Sequence, residues 1–190
     1  MPLAMDDPRI ALLELLDRHA AGVPEARDDV RRFREFLIGH RDAFERRCAP
    51  GHITGSAWLV DAAGTRVLLT HHRKLDRWLQ LGGHADGDAD VARVALREAQ
   101  EESGLRDLAV EPAIFDIDRH RIPARADDPE HWHYDVRFVV RANGSDEFVV
   151  SDESHELAWR SIGDVADDAT LDPSLRRMAR RWLARTPGQP

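Results

Sequence analysis

The sequence predicts an α+β protein, an N-terminal α-helical hairpin followed by a mixed α+β domain. Three observations carry this. Apolar residues recur at helical spacing from residue 8 to about residue 47, and Pro50-Gly51 ends the pattern. Beyond it, short runs rich in aliphatic residues are separated by turn-forming clusters, as in strands. One amphipathic stretch, from about Asp90 to Ser103, interrupts those runs with helical periodicity.

In chain order, Ile10, Leu13 and Leu16 mark the first helix, and Ala26, Val30, Phe33 and Leu37 the second, with a break at Gly22-Val23-Pro24. The runs "HITGSAWLV" and "TRVLLTHH" predict two strands joined at "DAAG", and "DRWLQLGG" a short strand before a loop rich in Gly and Asp. Ala92, Ala95, Leu96 and Ala99 form the apolar face of the helix that follows. Further strands are expected at 107–118, 132–142 and 156–161, and Asp172-Pro173 opens a C-terminal helix with an N-cap and a first-turn proline. The division read from this pattern is a helical segment at residues 1–50 and a second unit at 51–190. The helical pair would cap a site, support a homodimer, or simply pack on the core.

At 190 residues the chain is long enough for a sizeable core, and 42% hydrophobic with 33% charged residues is the balance of an ordinary soluble protein. A formal charge of −8 argues against a nucleic-acid polymer as partner, which needs a Lys/Arg footprint. It leaves room for an anionic small molecule bridged by a cation. Cys48 is the only cysteine, so no intramolecular disulfide forms, and no stretch approaches a membrane span. The expected setting is cytoplasmic, without a membrane partner.

"LREAQEESGL", residues 96–105, breaks two rules of helix writing. Glu98, Glu101 and Glu102 stand at i, i+3 and i+4, where like charges repel, and two of them precede Gly104, where the macrodipole disfavours negative charge. Such carboxylates converge within reach of one hard cation, which takes oxygen ligands and bridges them to phosphates. The competing reading is a solvated acidic face. Val91 and Val94, which continue the same face, suit a partly covered cleft better.

The surrounding "GGHADGDADVARVALREAQEESGL", residues 82–105, resembles the Nudix box, G-x5-E-x7-R-E-U-x-E-E-x-G-U with U a bulky aliphatic. Gly83, Arg97, Glu98, Glu101, Glu102, Gly104 and Leu105 fall on its positions. Ala89 stands where the box has its first glutamate, flanked by Asp88 and Asp90, and Ala99 replaces the aliphatic. The resemblance spans about residues 52–185. It implies an α/β/α sandwich around a mixed β-sheet and hydrolysis of a diphosphate bond in a nucleoside diphosphate linked to another group. It also implies Mg²⁺ or Mn²⁺ on Glu98, Glu101, Glu102 and the Gly83 carbonyl, with Arg97 orienting the glutamates. Asp88 is the expected substitute for the missing box glutamate, holding Arg97, while Asp90 caps the helix. In this family the base is either the glutamate at the Glu98 position or one on a later loop. Here "SDESHELAW" offers Glu153 and Glu156 for the second arrangement.

Other residues leave alternatives open. "HWHYDVRF" puts His131, His133 and Asp135 on one strand face, as a hydrogen-bonded polar face, as substrate contacts or as a second metal site. Arg73, Lys74 and Arg77 either receive a phosphate or line a solvated loop. Trp78 is expected in the core beside Leu79 and Leu81. Arg176, Arg177, Arg180, Arg181 and Arg185 are expected on the wet face of the last helix, and Cys48 to be inert.

Three functions compete: a metal-dependent hydrolase of a small diphosphate compound, an isopentenyl diphosphate isomerase, and a catalytically silent Nudix-like ligand-binding or regulatory domain. The isomerase needs a cysteine in its cleft, and Cys48 precedes the first strand. A silent domain would be expected to lack box glutamates, and these are intact.

Overall fold

The computed structural model describes residues 3–73, 75–125, 129–150 and 154–185. Helices α1 (Arg9–Gly22) and α2 (Arg27–Gly39) form the N-terminal hairpin, with a short 3-10 turn at Pro24–Ala26 between them. Residues 40–47, expected as a helical continuation, form turns and irregular chain instead. Strands β1 (Gly51–Val60), β2 (Arg66–His72), β3 (Arg77–Leu79) and β4 (Leu81–His84) lead to helix α3 (Val91–Ser103). Then come β5 (Leu108–Ile122), β6 (His131–Ala142), β7 (Ser154–Ser161), α4 (Ile162–Asp167) and α5 (Pro173–Leu183). No described helix is long and apolar enough to cross a membrane.

The sheet is mixed, ordered β3-β2-β1-β6-β5, with β4 also paired to β1 and β7 to β2. Strands β1 and β6 run parallel, Gly51 opposite Trp132 through Val60 opposite Arg141. The other pairs are antiparallel. β1 is buried along its whole length, as a strand covered on both faces must be.

Alternation along β1 sorts the two faces. Ile53 joins a core with Leu16, Phe33 and Leu37 of the N-terminal pair, Val91, Val94 and Ala95 of α3, and Tyr134, Val136 and Phe138 of β6. Ala57 and Leu59 continue that face against Ala99 and Leu105. Trp58 and Val60 point the other way, under Ile162, Val165, Leu175 and Met178 of α4 and α5. The result is the expected α/β/α sandwich. Its first face is shared by α3 and the N-terminal helices, with Phe36 stacked on Tyr134 at a centroid distance of 4.0 Å. Arg9 is buried there and donates from Nη1 to the Leu37 carbonyl at 2.8 Å.

Candidate active site

The box segment folds as strand, loop and helix, from β4 to α3. Asp90 caps α3, its Oδ1 accepting from the Arg93 N–H at 3.1 Å. Gly104 ends the helix in the left-handed region at φ 71°, where its N–H still donates to the Gln100 carbonyl.

Between these caps, Glu98 and Glu102 reach the two glycines of β4. The Glu98 side chain is 17% exposed, and its carboxylate lies so close over Gly83 that a Cβ there would collide with Oε2. Glu102 is buried, and its Oε1 accepts from the Gly82 N–H at 2.7 Å. Glu101 is exposed beside them. Arg97 Nη2 donates to Glu98 Oε1 at 2.8 Å and to the His84 carbonyl at 3.1 Å, tying the carboxylate to the loop backbone. The Glu98 hydrogen bond raises the Arg97 pKa, against burial, and the charges of Glu98, Glu101 and Asp88 add to it. Glu102 is therefore more than a repelling charge at the helix end: it answers a backbone donor and anchors α3 to β4.

Ala89 packs partly buried against the core. Asp88 accepts from Arg93 Nη2 at 2.7 Å and from the Asp90 N–H at 3.0 Å, while its Oδ2 is 4.0 Å from Arg97 Nη1. Asp88 is therefore the carboxylate beside Arg97, but its own hydrogen bonds go elsewhere. The N-terminal segment braces the same loop: the Gly87 N–H donates to the Phe44 carbonyl at 2.9 Å, and Arg46 Nη2 to Asp86 Oδ2 at 2.7 Å.

The next residue of β4 faces the opposite side of the sheet. His84 stands 4.9 Å from His52, centroid to centroid, and His52 stands 4.8 Å from both His131 and His133. His120 joins at 5.4 Å from His133. Burial, with the other four imidazoles around it, pushes His133 down to about 2. Sequence reasoning found His131 and His133 but missed His52, His84 and His120. Their signal lies in the register, which sets His52 and His120 opposite His133, and pairing across strands is not written in any one of them.

Deeper on this face, Asp135 is 2% exposed and accepts from Thr54 Oγ1 at 3.0 Å, Ser56 Oγ at 2.7 Å, Gln80 Nε2 at 3.3 Å and Arg137 Nε at 2.7 Å. Its carboxylate is turned inward and saturated, which is the hydrogen-bonded polar face among the three readings of this strand. Arg137, 3% exposed, also reaches Asp116 at 3.3 Å and Asp118 at 3.6 Å. Burial would raise the Asp118 carboxyl, but His120, Arg137 and Arg177 outweigh it and hold it well below the usual carboxylate range. Of the C-terminal arginines, Arg177 and Arg180 are exposed, as expected of the wet face, while Arg181 and Arg185 are partly buried. Arg177 and Arg181 fold back onto Asp116 at 2.7 and 3.0 Å, and Arg185 onto Glu111 at 3.1 Å.

Arg73 donates to the Ser154 carbonyl at 3.3 Å, and Arg77, half exposed, lies 3.6 Å from Asp172, the cap of α5. Lys74 and Glu153 lie outside the described residues. Glu156 is exposed on β7 opposite His71. Trp78 packs partly buried on the second core. Cys48 is buried, and burial with the neighbouring Asp42 pushes its thiol up to about 11, far from a reactive thiolate.

A strand–loop–helix that seats two glutamates on paired glycines, with an arginine and a third glutamate beside them, inside an α/β/α sandwich, defines the class, and comparison with known proteins agrees. The family described as NUDIX domain matches residues 51–182. The chain belongs to that family, and with the arginine and glutamates of the box in place it is a pyrophosphohydrolase of the Nudix type. No curated protein matches it. Among solved structures it is similar to a C. elegans Ap4A hydrolase binary complex, at 18% identity and a TM-score of 0.55 over 70% of this chain and 95% of that one. It is also similar to the M. smegmatis Nudix hydrolase RenU, at 22% and 0.51 over 69% and 83%. A third is the E. coli dihydroneopterin triphosphate pyrophosphohydrolase, at 16% and 0.53 over 68% and 92%.

Proposed function

We propose that the protein hydrolyses a diphosphate linkage in a nucleoside diphosphate linked to another group, or in a similar small phosphoanhydride. The observation that carries this reading is the seating of Glu98 on Gly83, locked by Arg97 and flanked by Glu101 and Glu102. The donor set is all oxygen and dense in negative charge, which fits a hard divalent cation. Glu98, Glu101, Glu102 and the Gly83 carbonyl would hold Mg²⁺ or Mn²⁺, which when bound supplies Lewis acidity and offsets the charge of the diphosphate. Arg97 keeps the Glu98 carboxylate in place through the His84 carbonyl, so orientation precedes binding. Gly83 leaves the space in which that carboxylate lies.

Two carboxylates are assigned as alternative proton acceptors, Glu98 and Glu153. Arg73, Lys74 and Arg77 are read as the substrate side, and Asp135 as the residue that positions Arg137. Two of the similar structures are an Ap4A hydrolase and a dihydroneopterin triphosphate pyrophosphohydrolase, which favours a polyphosphorylated small molecule as the substrate class. The single cysteine supports a reducing, cytoplasmic setting.

The test is a screen of nucleoside di- and triphosphates, dinucleoside polyphosphates, ADP-ribose and NADH with Mg²⁺ or Mn²⁺, with and without EDTA. Turnover that EDTA abolishes is expected. Undiminished hydrolysis in metal-free buffer overturns the reading, and binding without turnover across the panel would favour the silent ligand-binding domain. The pH–rate profiles of E98Q and E153Q assign the base.

A further inference from the structure

The box uses only one side of β4. Across the sheet, His52, His131 and His133 each offer a ring nitrogen, and these three atoms lie within 4.8 Å of one another. His131 Nε2 and His133 Nε2 are 3.3 Å apart. Two nitrogens on one tetrahedral ion, each bonded at about 2.0–2.1 Å, stand about 3.4 Å apart, so this pair already has the spacing of coordinated imidazoles. The third nitrogen has to close by about 1.4 Å at most, within the swing of an imidazole about its side-chain torsions.

The tautomer agrees. A carbonyl cannot donate, so the 2.8 Å contact between His131 Nδ1 and the Pro129 carbonyl puts a proton on Nδ1, and in the neutral ring the lone pair then sits on Nε2. A ring N–H held by a backbone carbonyl is the usual outer support of a ligating histidine. The backbone adds rigidity: His131 and His133 are alternate residues of β6, and His52 is fixed opposite His133 by ten consecutive parallel pairs. His52 and His131 are buried, so the donors are pre-positioned rather than gathered from solvent.

We propose that His52, His131 and His133 form a binding site for one divalent transition-metal ion of the zinc class, separate from the carboxylate site of the box. Imidazole nitrogens suit Zn²⁺, Co²⁺ or Ni²⁺, whereas Mg²⁺ seeks oxygen. Three protein ligands leave a fourth position for a water or a ligand oxygen. The two centres back onto consecutive residues, Gly83 toward Glu98 and His84 toward His52, so they flank one strand with opposite ligand chemistry.

The full-length chain, stripped with chelator, is titrated with Co²⁺ and followed by visible absorption. The expected result is one equivalent with the intense bands of a four-coordinate ion, displaced by Zn²⁺ but not by excess Mg²⁺. His131→Gln and His133→Gln should weaken binding by more than the roughly 10–100-fold lost with a mere hydrogen-bond partner of a ligand. The Glu98→Gln/Glu101→Gln double variant should leave it unchanged. No stoichiometric binding, binding kept in the histidine variants, or binding lost with the box glutamates overturns the proposal. Should the histidine variants fail to fold, X-ray absorption on the cobalt-loaded native chain decides: imidazole scattering supports the site and an oxygen-only shell refutes it.

Discussion

Glu102 offers the sharpest test of how the box helix is held, because opposing terms meet on one carboxylate. In Glu102→Ala the hydrogen bond from the Gly82 N–H is lost, and a bond of that length to a charged acceptor is worth about 1.5–3 kcal/mol. Two effects offset it: relief of the i,i+4 repulsion with Glu98, about 0.2–0.5 kcal/mol, and removal of a charge from the negative end of the helix dipole, about 0.3–1 kcal/mol. The net loss is about 1 kcal/mol, which for a chain of this length lowers Tm by about 2–4 °C. Glu102→Gln keeps an acceptor of the same reach and relieves the same charges, so it should unfold within about 0.5 kcal/mol of the native chain. Urea and thermal unfolding in EDTA measure both, and metal-dependent turnover should fall in both. An alanine variant as stable as the glutamine variant would refute the anchor and reduce Glu102 to a charge.

Three further outcomes follow from the same geometry. Gly83→Ala should fold with near-native stability, since the flexible end of Glu98 can swing aside, yet lose metal affinity and turnover together; calorimetry and kinetics read the two. Asp90→Ala should cost about 0.5–2 kcal/mol as a lost cap, whereas Asp88→Ala should lower turnover by less than about tenfold, because Arg97 is hydrogen-bonded to Glu98 and the His84 carbonyl rather than to Asp88. Stability should decline on acidification below about pH 4, where the unfolded chain takes up a proton that folded Asp118 refuses. The contribution is present above the unfolded pKa and lost toward the lower folded one, so Asp118→Asn should flatten a plot of unfolding free energy against pH.

The parts legible in the sequence are those with short-range signatures. The caps Asp90, Gly104 and Asp172, the strand alternation of "HWHYDVRF" and the box spacing all lie within a turn or two of what they control. Residues whose role depends on long-range pairing were not legible. Nothing in "GHITGS" announces that His52 stands opposite His133, because that follows from a parallel register across about eighty residues of chain. Arg177 and Arg181 show the same limit: helical periodicity places them off the apolar stripe, and only the docking of α5 brings buried Asp116 within their reach. Helix α2 ends earlier than its apolar pattern predicts for a local reason: Gly39 leads into a His40 in extended conformation.

The contact between Phe44, Arg46 and the box loop bears on how modular this chain is. A cut at the start of the matched span would retain every residue of the Nudix box and still remove the carbonyl that receives the Gly87 N–H, the partner of Asp86 and the helices that cover Tyr134. The loop leading into α3 is thus held partly by chain that the family's own pattern does not contain. Transplanting the box domain without its first fifty residues would move the chemistry and leave behind part of the scaffold that keeps it in shape, and a molecule that pries α2 from the sheet would act on the box loop from a distance without touching a glutamate.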